Sequence, residues 1–191
     1  MSPWDGLVRF VAEGVSHIWH GYDHLLFLCL LLLPAVLRPA EARHGATLWS
    51  IVRIVSAFTV AHSITLGLAA YGLIAVSARG VEAVIAASIV IAALLNLVPR
   101  APQMGAALAF GFGLVHGLGF ANALQGLGGN RLISLAGFNI GVELGQLAVV
   151  AVAVPLLFTL RRTPPLRLRA LTALSLACAG VGSFWLVERL G

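Results

Sequence analysis

The chain has 191 residues, 60% of them hydrophobic and only 10% charged, with a mean hydropathy of +0.99. A soluble domain carries about 25% charged residues, so this composition excludes a water-soluble globular protein. The net charge is +5 and all twelve basic residues are arginine, but none forms a cluster with interleaved aromatics, so no nucleic-acid partner is expected.

Several apolar runs exceed about 18 residues, the length that crosses a bilayer as a helix. The period-two alternation of a membrane barrel is absent. The expected fold is therefore all-α: a polytopic membrane protein, one transmembrane domain over residues 1–191, with six spans and a short N-terminal interfacial helix. Residues 2–15 start at Ser2-Pro3 and set Trp4, Leu7, Val8, Phe10 and Val11 beside Asp5, Arg9 and Glu13, which predicts that interfacial helix. The stretch lacks a basic start followed by an apolar core, so no cleavable signal peptide is expected.

The first span is expected over roughly 15–37, ending between Pro34 and Pro39. The second covers roughly 50–76 and contains FTVAHSITL, with His62 near its middle. The third, roughly 81–98, begins with Glu82 and ends with Asn96 before Pro99. The fourth, roughly 103–125, carries FGFGLVHGLGFAN, in which Gly113 and Gly117 flank His116 at the spacing that lets helix backbones approach closely. The fifth, roughly 131–159, carries FNIGVELGQL, with Asn139, Glu143 and Gln146 on one face. The last, roughly 168–187, has only Ser175 and Ser183 as polar content and suits a packing role. Cys29 and Cys178 sit alone in apolar runs and read as small buried hydrophobes. His44 falls in a loop and reads as solvated.

Arginine placement orients the chain. The loops after spans one, three and five hold Arg38, Arg43, Arg53, Arg100, Arg161, Arg162, Arg167 and Arg169, against Arg9, Arg79, Arg131 and Arg189 on the other side. The positive-inside rule then puts both termini outside, on the periplasmic side of a bacterial inner membrane.

The stretch HIWHGYDHLLFLCLLLL, from His17 to Leu33, concentrates the chemistry. On a continuous helix at about 100° per residue, His24, His20 and Asp23 lie at about −20°, −60° and −120° from His17, on one face. His20 and His24 are also an i, i+4 pair, a spacing at which two imidazoles can share one ion. The arginine-based topology, which made no use of histidines, brings His17, His20, Asp23, His24, His62, Glu82, His116, Asn139 and Glu143 to the outer half of the bilayer. An ionisable group at mid-membrane costs about 2.5–3.5 kcal/mol on insertion scales. Such groups are tolerated when they face inward and satisfy one another. Imidazoles with carboxylates suit a divalent transition metal, Ni²⁺ or Zn²⁺. His17, His20, Asp23, His24, His62, His116 and Glu143 are the candidate ligands, with Glu82 and Asn139 as partners that orient the imidazoles. Blander readings stand beside these. Glu82 also suits the positive end of a helix, Asn139 and Gln146 also suit interhelical hydrogen bonding, and a single His62 or His116 also suits a core position.

HIWHGYDHLLFL, FTVAHSITL, FGFGLVHGLGFA and FNIGVELGQL resemble the HupE/UreJ family of small membrane proteins, in particular its second branch, over about residues 10 to 187. That family is associated with hydrogenase and urease gene clusters, and some members are described as nickel permeases. The resemblance implies a divalent metal site and, with it, transport. It matches His17, Asp23 and His24 to the family's first-helix signature, and His62, His116 and Glu143 to its other motifs. Nickel/cobalt permeases carry a related signature with four residues between a histidine and an Asp-His pair; here five separate His17 from Asp23, and two separate His20 from it.

Three functions follow. The first is a permease taking Ni²⁺ or a similar ion from outside, with Ser56, Thr59, Ser88 and Asn96 as the polar groups of the inner half. The second is an intramembrane zinc hydrolase of a lipid or lipid-linked substrate, with Asp23 or Glu143 as catalytic base. The third is a non-catalytic metal-binding partner in a membrane assembly. The glycine-rich fourth span leaves a homo-oligomer open as well.

Overall fold

The computed structural model describes residues 3–38, 44–98, 105–119, 131–161 and 163–191. Those residues form seven α-helices: α1 (Pro3–His20), α2 (Tyr22–Leu37), α3 (His44–Ala70), α4 (Ala78–Leu97), α5 (Ala106–Gly119), α6 (Arg131–Arg161) and α7 (Pro164–Leu190). The α3, α4, α6 and α7 helices are each long and apolar enough to cross a membrane, and α1 with α2 qualifies as a bent pair. The chain is thus an all-helical polytopic membrane protein. The α5 helix is apolar but has 14 residues; the rest of the expected fourth span, 120–125, and Pro39 and Pro99 lie outside the described residues.

Two expectations are corrected at the N-terminus. Residues 15–37 are not one helix: the chain bends by 71° at Gly21. Nor do residues 3–15 form a helix of their own, because α1 runs unbroken through to His20 and packs lengthwise against α6. The packing has a clear cause. A Cβ at Gly14 would collide with the Phe138 carbonyl, one at Gly141 with the Val11 carbonyl, and one at Gly145 would come within 3.0 Å of Ile18. In lipid no hydrophobic force drives helices together, so close backbone approach through small residues supplies the contact. The same device joins α5 to α3, where Gly113 meets the Phe58 carbonyl and Gly117 the His62 carbonyl.

The α2 helix lies at the centre. Phe27, Leu30, Leu31, Leu32, Leu33 and Val36 are all buried, against Phe58, Ile89, Ala92 and Val154 of its neighbours. Pro34 inside α2 has no N–H to offer the Leu30 carbonyl one turn earlier. Asn96 of α4 supplies the missing donor, its Nδ2 standing 2.9 Å from that oxygen. An unpaired carbonyl has no water to turn to in a membrane core, so this bond keeps the α2 backbone satisfied. Arg38 then ties the end of α2 to that of α4 by donating to the carbonyls of Leu95, Asn96 and Val98. By contrast α7 turns Leu168, Leu176, Phe184 and Val187 outward, as a lipid-facing helix does.

Candidate metal centre

Gly21 sets the geometry of the site. Its backbone (φ −81°, ψ 85°) leaves the helical region and ends α1. A Cβ there would stand 2.7 Å from the His17 carbonyl and 2.9 Å from His24 Nδ1. Only a residue without a side chain lets the two helix ends close this tightly. The bend brings the His17 and His24 rings edge to face, 4.5 Å apart.

His62 arrives from α3, its centroid 6.0 Å from those of both His17 and His24. One ligand nitrogen from each of His17, His24 and His62 lies within 4.8 Å of the other two. Nitrogens bound to one ion at 2.0–2.1 Å stand about 3.3 Å apart, so small ring rotations close the set. His116 of α5 flanks His24, with centroids 4.9 Å apart. Four imidazoles from four helices thus meet around His24. Aromatic rings wall them in: Phe58 and Phe138 each stack on His62, and Phe27 packs on His116.

Several imidazole nitrogens inside this wall have no hydrogen-bond partner. His24 Nε2, both ring nitrogens of His62 and His116 Nδ1 are buried with no hydrogen bond within strict geometry. His116 Nε2 has Ser88 Oγ at 3.5 Å, the outer limit of such a bond. Asn139 lies close enough to His62 to interact with it, although the pair falls outside strict hydrogen-bond geometry. Buried polar atoms without partners are rare, and several imidazole nitrogens aimed at one another are the donor set of a borderline divalent cation. The residues therefore fit a metal ion.

Asp23 orients this set. Its Oδ1 accepts from the backbone N–H of His24 and lies 2.9 Å from His24 Nδ1. The carboxylate favours the proton on Nδ1, which leaves the Nε2 lone pair facing the other imidazoles. Carboxylate–histidine pairing of this kind fixes the tautomer of a ligating imidazole and raises its basicity.

The other expected residues stand outside the imidazole cluster. His20 is exposed on α1, its Nδ1 donating to the Ser16 carbonyl at 2.9 Å. The break at Gly21 removes the continuous helix that an i, i+4 pairing with His24 requires. Glu143 is half-buried on α6 and accepts from Ser56 Oγ at 2.8 Å, while Thr59 donates to Gln146 at 2.7 Å. These two pairs link α3 to α6. Asn139 Nδ2 donates to the Leu135 carbonyl. Glu82 is exposed near the start of α4.

Depth agrees with the polar pattern. His62 is 8 residues from the end of α3 and 18 from its start, about 12 Å and 27 Å at 1.5 Å per residue. A cavity of about 420 Å³ opens from the imidazoles to the end of the bundle where α4 begins and α7 ends; His17, Asp23, His24, His116, Glu82 and Arg189 line it. Arg189 Nη1 donates to the Glu82 carbonyl at 2.8 Å, and its guanidinium sits over Trp185. Neither Arg189 nor the Phe58 and Phe138 rings against His62 were legible in the sequence, apart from Phe58 standing one helical turn before His62.

Fold and site together define a polytopic helical membrane protein with a buried multi-histidine centre reached from one end of the bundle. The family model described as "HupE / UreJ protein" matches residues 1–189, and the chain belongs to that family. No curated protein and no solved structure matches it.

Proposed function

We propose that this protein is a divalent transition-metal permease of the nickel type, with a single helical domain that crosses a bacterial inner membrane six times and leaves both termini outside. The observation that carries the reading is the convergence of His17, His24 and His62, from three separate helices, with His17 and His24 also lining an end-opening cavity. Three neutral imidazoles bind such an ion firmly enough to select it and leave positions open for exchange. His116 stands beside them, its ring against that of His24, and Asp23 holds His24 in the ligating tautomer. Glu143, paired with Ser56, belongs to the next polar layer along α3 and α6, where a departing ion finds oxygen rather than nitrogen. Membership of the HupE/UreJ family supports the choice of nickel, since members of that family are described as nickel permeases.

Purified protein in liposomes tests this. Radiolabelled Ni²⁺ should enter at a saturable rate that His24→Ala abolishes. Stoichiometric binding without entry would end the permease reading. It would favour instead a zinc hydrolase, whose support is the size of the outer cavity. In that reading Asp23 and Glu143 are poorly placed as bases, one engaged by His24 and the other by Ser56.

A further inference from the structure

The outer cavity is too large for the ion alone. Six waters at about 30 Å³ each give a hydrated ion about 180 Å³, against the cavity's 420 Å³. That volume falls in the range of small-molecule sites, about 300–1,000 Å³.

One of its charges, an arginine, does not serve a bare cation. Arg189 lines the cavity together with His116. Its hydrogen bonds tie it to neighbours without neutralising it. It donates to the backbone carbonyl of Glu82, and its own carbonyl accepts from Arg79 Nε at 2.8 Å. Among the described residues no carboxylate pairs with the Arg189 guanidinium. With Asp23 and Glu82, the charged groups of the lining sum to −1. A divalent ion on neutral imidazoles then leaves one positive charge that the lining does not balance. In a partly dehydrated site such an excess is several-fold more costly than in water. Three protein nitrogens also leave three positions free on a six-coordinate ion.

Resting on the permease reading, we propose that the cavity receives the metal as a complex with a small polycarboxylate. The chelator's oxygens complete the coordination, and Arg189 holds one of its free carboxylates. An Arg guanidinium is the group best suited to that task, because its donors match both carboxylate oxygens at once.

The test is double-label equilibrium dialysis of the detergent-purified protein with radiolabelled Ni²⁺ and radiolabelled citrate. Wild type should retain both labels in equal amounts, and citrate only when nickel is present. Arg189→Gln should retain nickel in citrate-free buffer within about threefold of wild type, which also reports that it folds, yet bind the nickel–citrate complex at least about tenfold more weakly. Arg189→Lys should recover part of that loss. Nickel retained while citrate merely strips it away would overturn the inference and leave the metal centre standing, as would equal citrate retention by Arg189→Gln. Retention of neither label would overturn the metal centre and this inference together.

Discussion

Replacing Asp23 by Asn separates a metal ligand from a residue that orients one. Asp23 Oδ1 stands 2.9 Å from both His24 Nδ1 and the His24 backbone nitrogen. An amide can still accept the backbone N–H, but it carries no charge to hold the proton on Nδ1. The His24 ring then spends part of its time with Nε2 protonated and unable to ligate. Losing such a partner typically weakens metal binding about 10- to 100-fold, or about 1.4–2.7 kcal/mol. The Kd for Ni²⁺ or Zn²⁺, measured by competition with a chromogenic chelator in detergent, should rise by that factor, with one ion still bound per chain. His24→Ala removes a nitrogen outright and should cost more, at least about 100-fold. A Kd unchanged within about twofold for Asp23→Asn would refute the orienting role. A loss as deep as that of His24→Ala would make Asp23 a ligand in its own right.

Other expectations can be checked on the same preparation. His20→Ala should bind metal within about threefold of wild type, because its ring is exposed and turned to the Ser16 carbonyl; a loss matching His24→Ala would return it to the ligand set. Gly141→Ala drives a Cβ into the Val11 carbonyl. Overpacking of this kind costs about 1–3 kcal/mol, and a lower Tm with weaker metal binding should appear together, since α1 carries His17. Asn96→Leu leaves the Leu30 carbonyl without a donor, a loss of about 1–3 kcal/mol. Pro34→Ala added to Asn96→Leu should recover much of it, because residue 34 regains the N–H that closes the α2 turn, and thermal unfolding of the double variant reads this directly. Glu143→Gln should leave the equilibrium Kd within about threefold while slowing nickel entry into liposomes at least about tenfold; equal entry rates would remove Glu143 from the route.

The helical membrane class was legible because lipid leaves few choices: long apolar runs must satisfy their backbones internally. The convergence of His17, His24, His62 and His116 was legible for a related reason, since buried polar groups at one depth must find one another. Gly113 and Gly117 also behave as their spacing implies, seated against α3. The break at Gly21 was not legible. One glycine in a strongly apolar stretch is compatible with a continuous helix, and the bend is fixed by contacts that only the assembled bundle provides, α1 against the glycine face of α6. That bend also decides the fates of His20 and His24, which periodicity treats alike. The pairing of Asn96 with α2 was not legible for want of one fact, that Pro34 on another helix leaves a carbonyl unpaired. Arg189 counted in the sequence only as a topology signal, because nothing local ties the last turn of α7 to the first helix.

X-ray absorption on the nickel- or zinc-loaded protein addresses the metal centre itself. Three imidazole nitrogens in the first coordination shell, at about 2.0–2.1 Å for zinc, should appear in wild type, and His62→Ala should lower that count by one. A shell of oxygens without imidazole scattering, or a count unmoved by His62→Ala, would contradict the account.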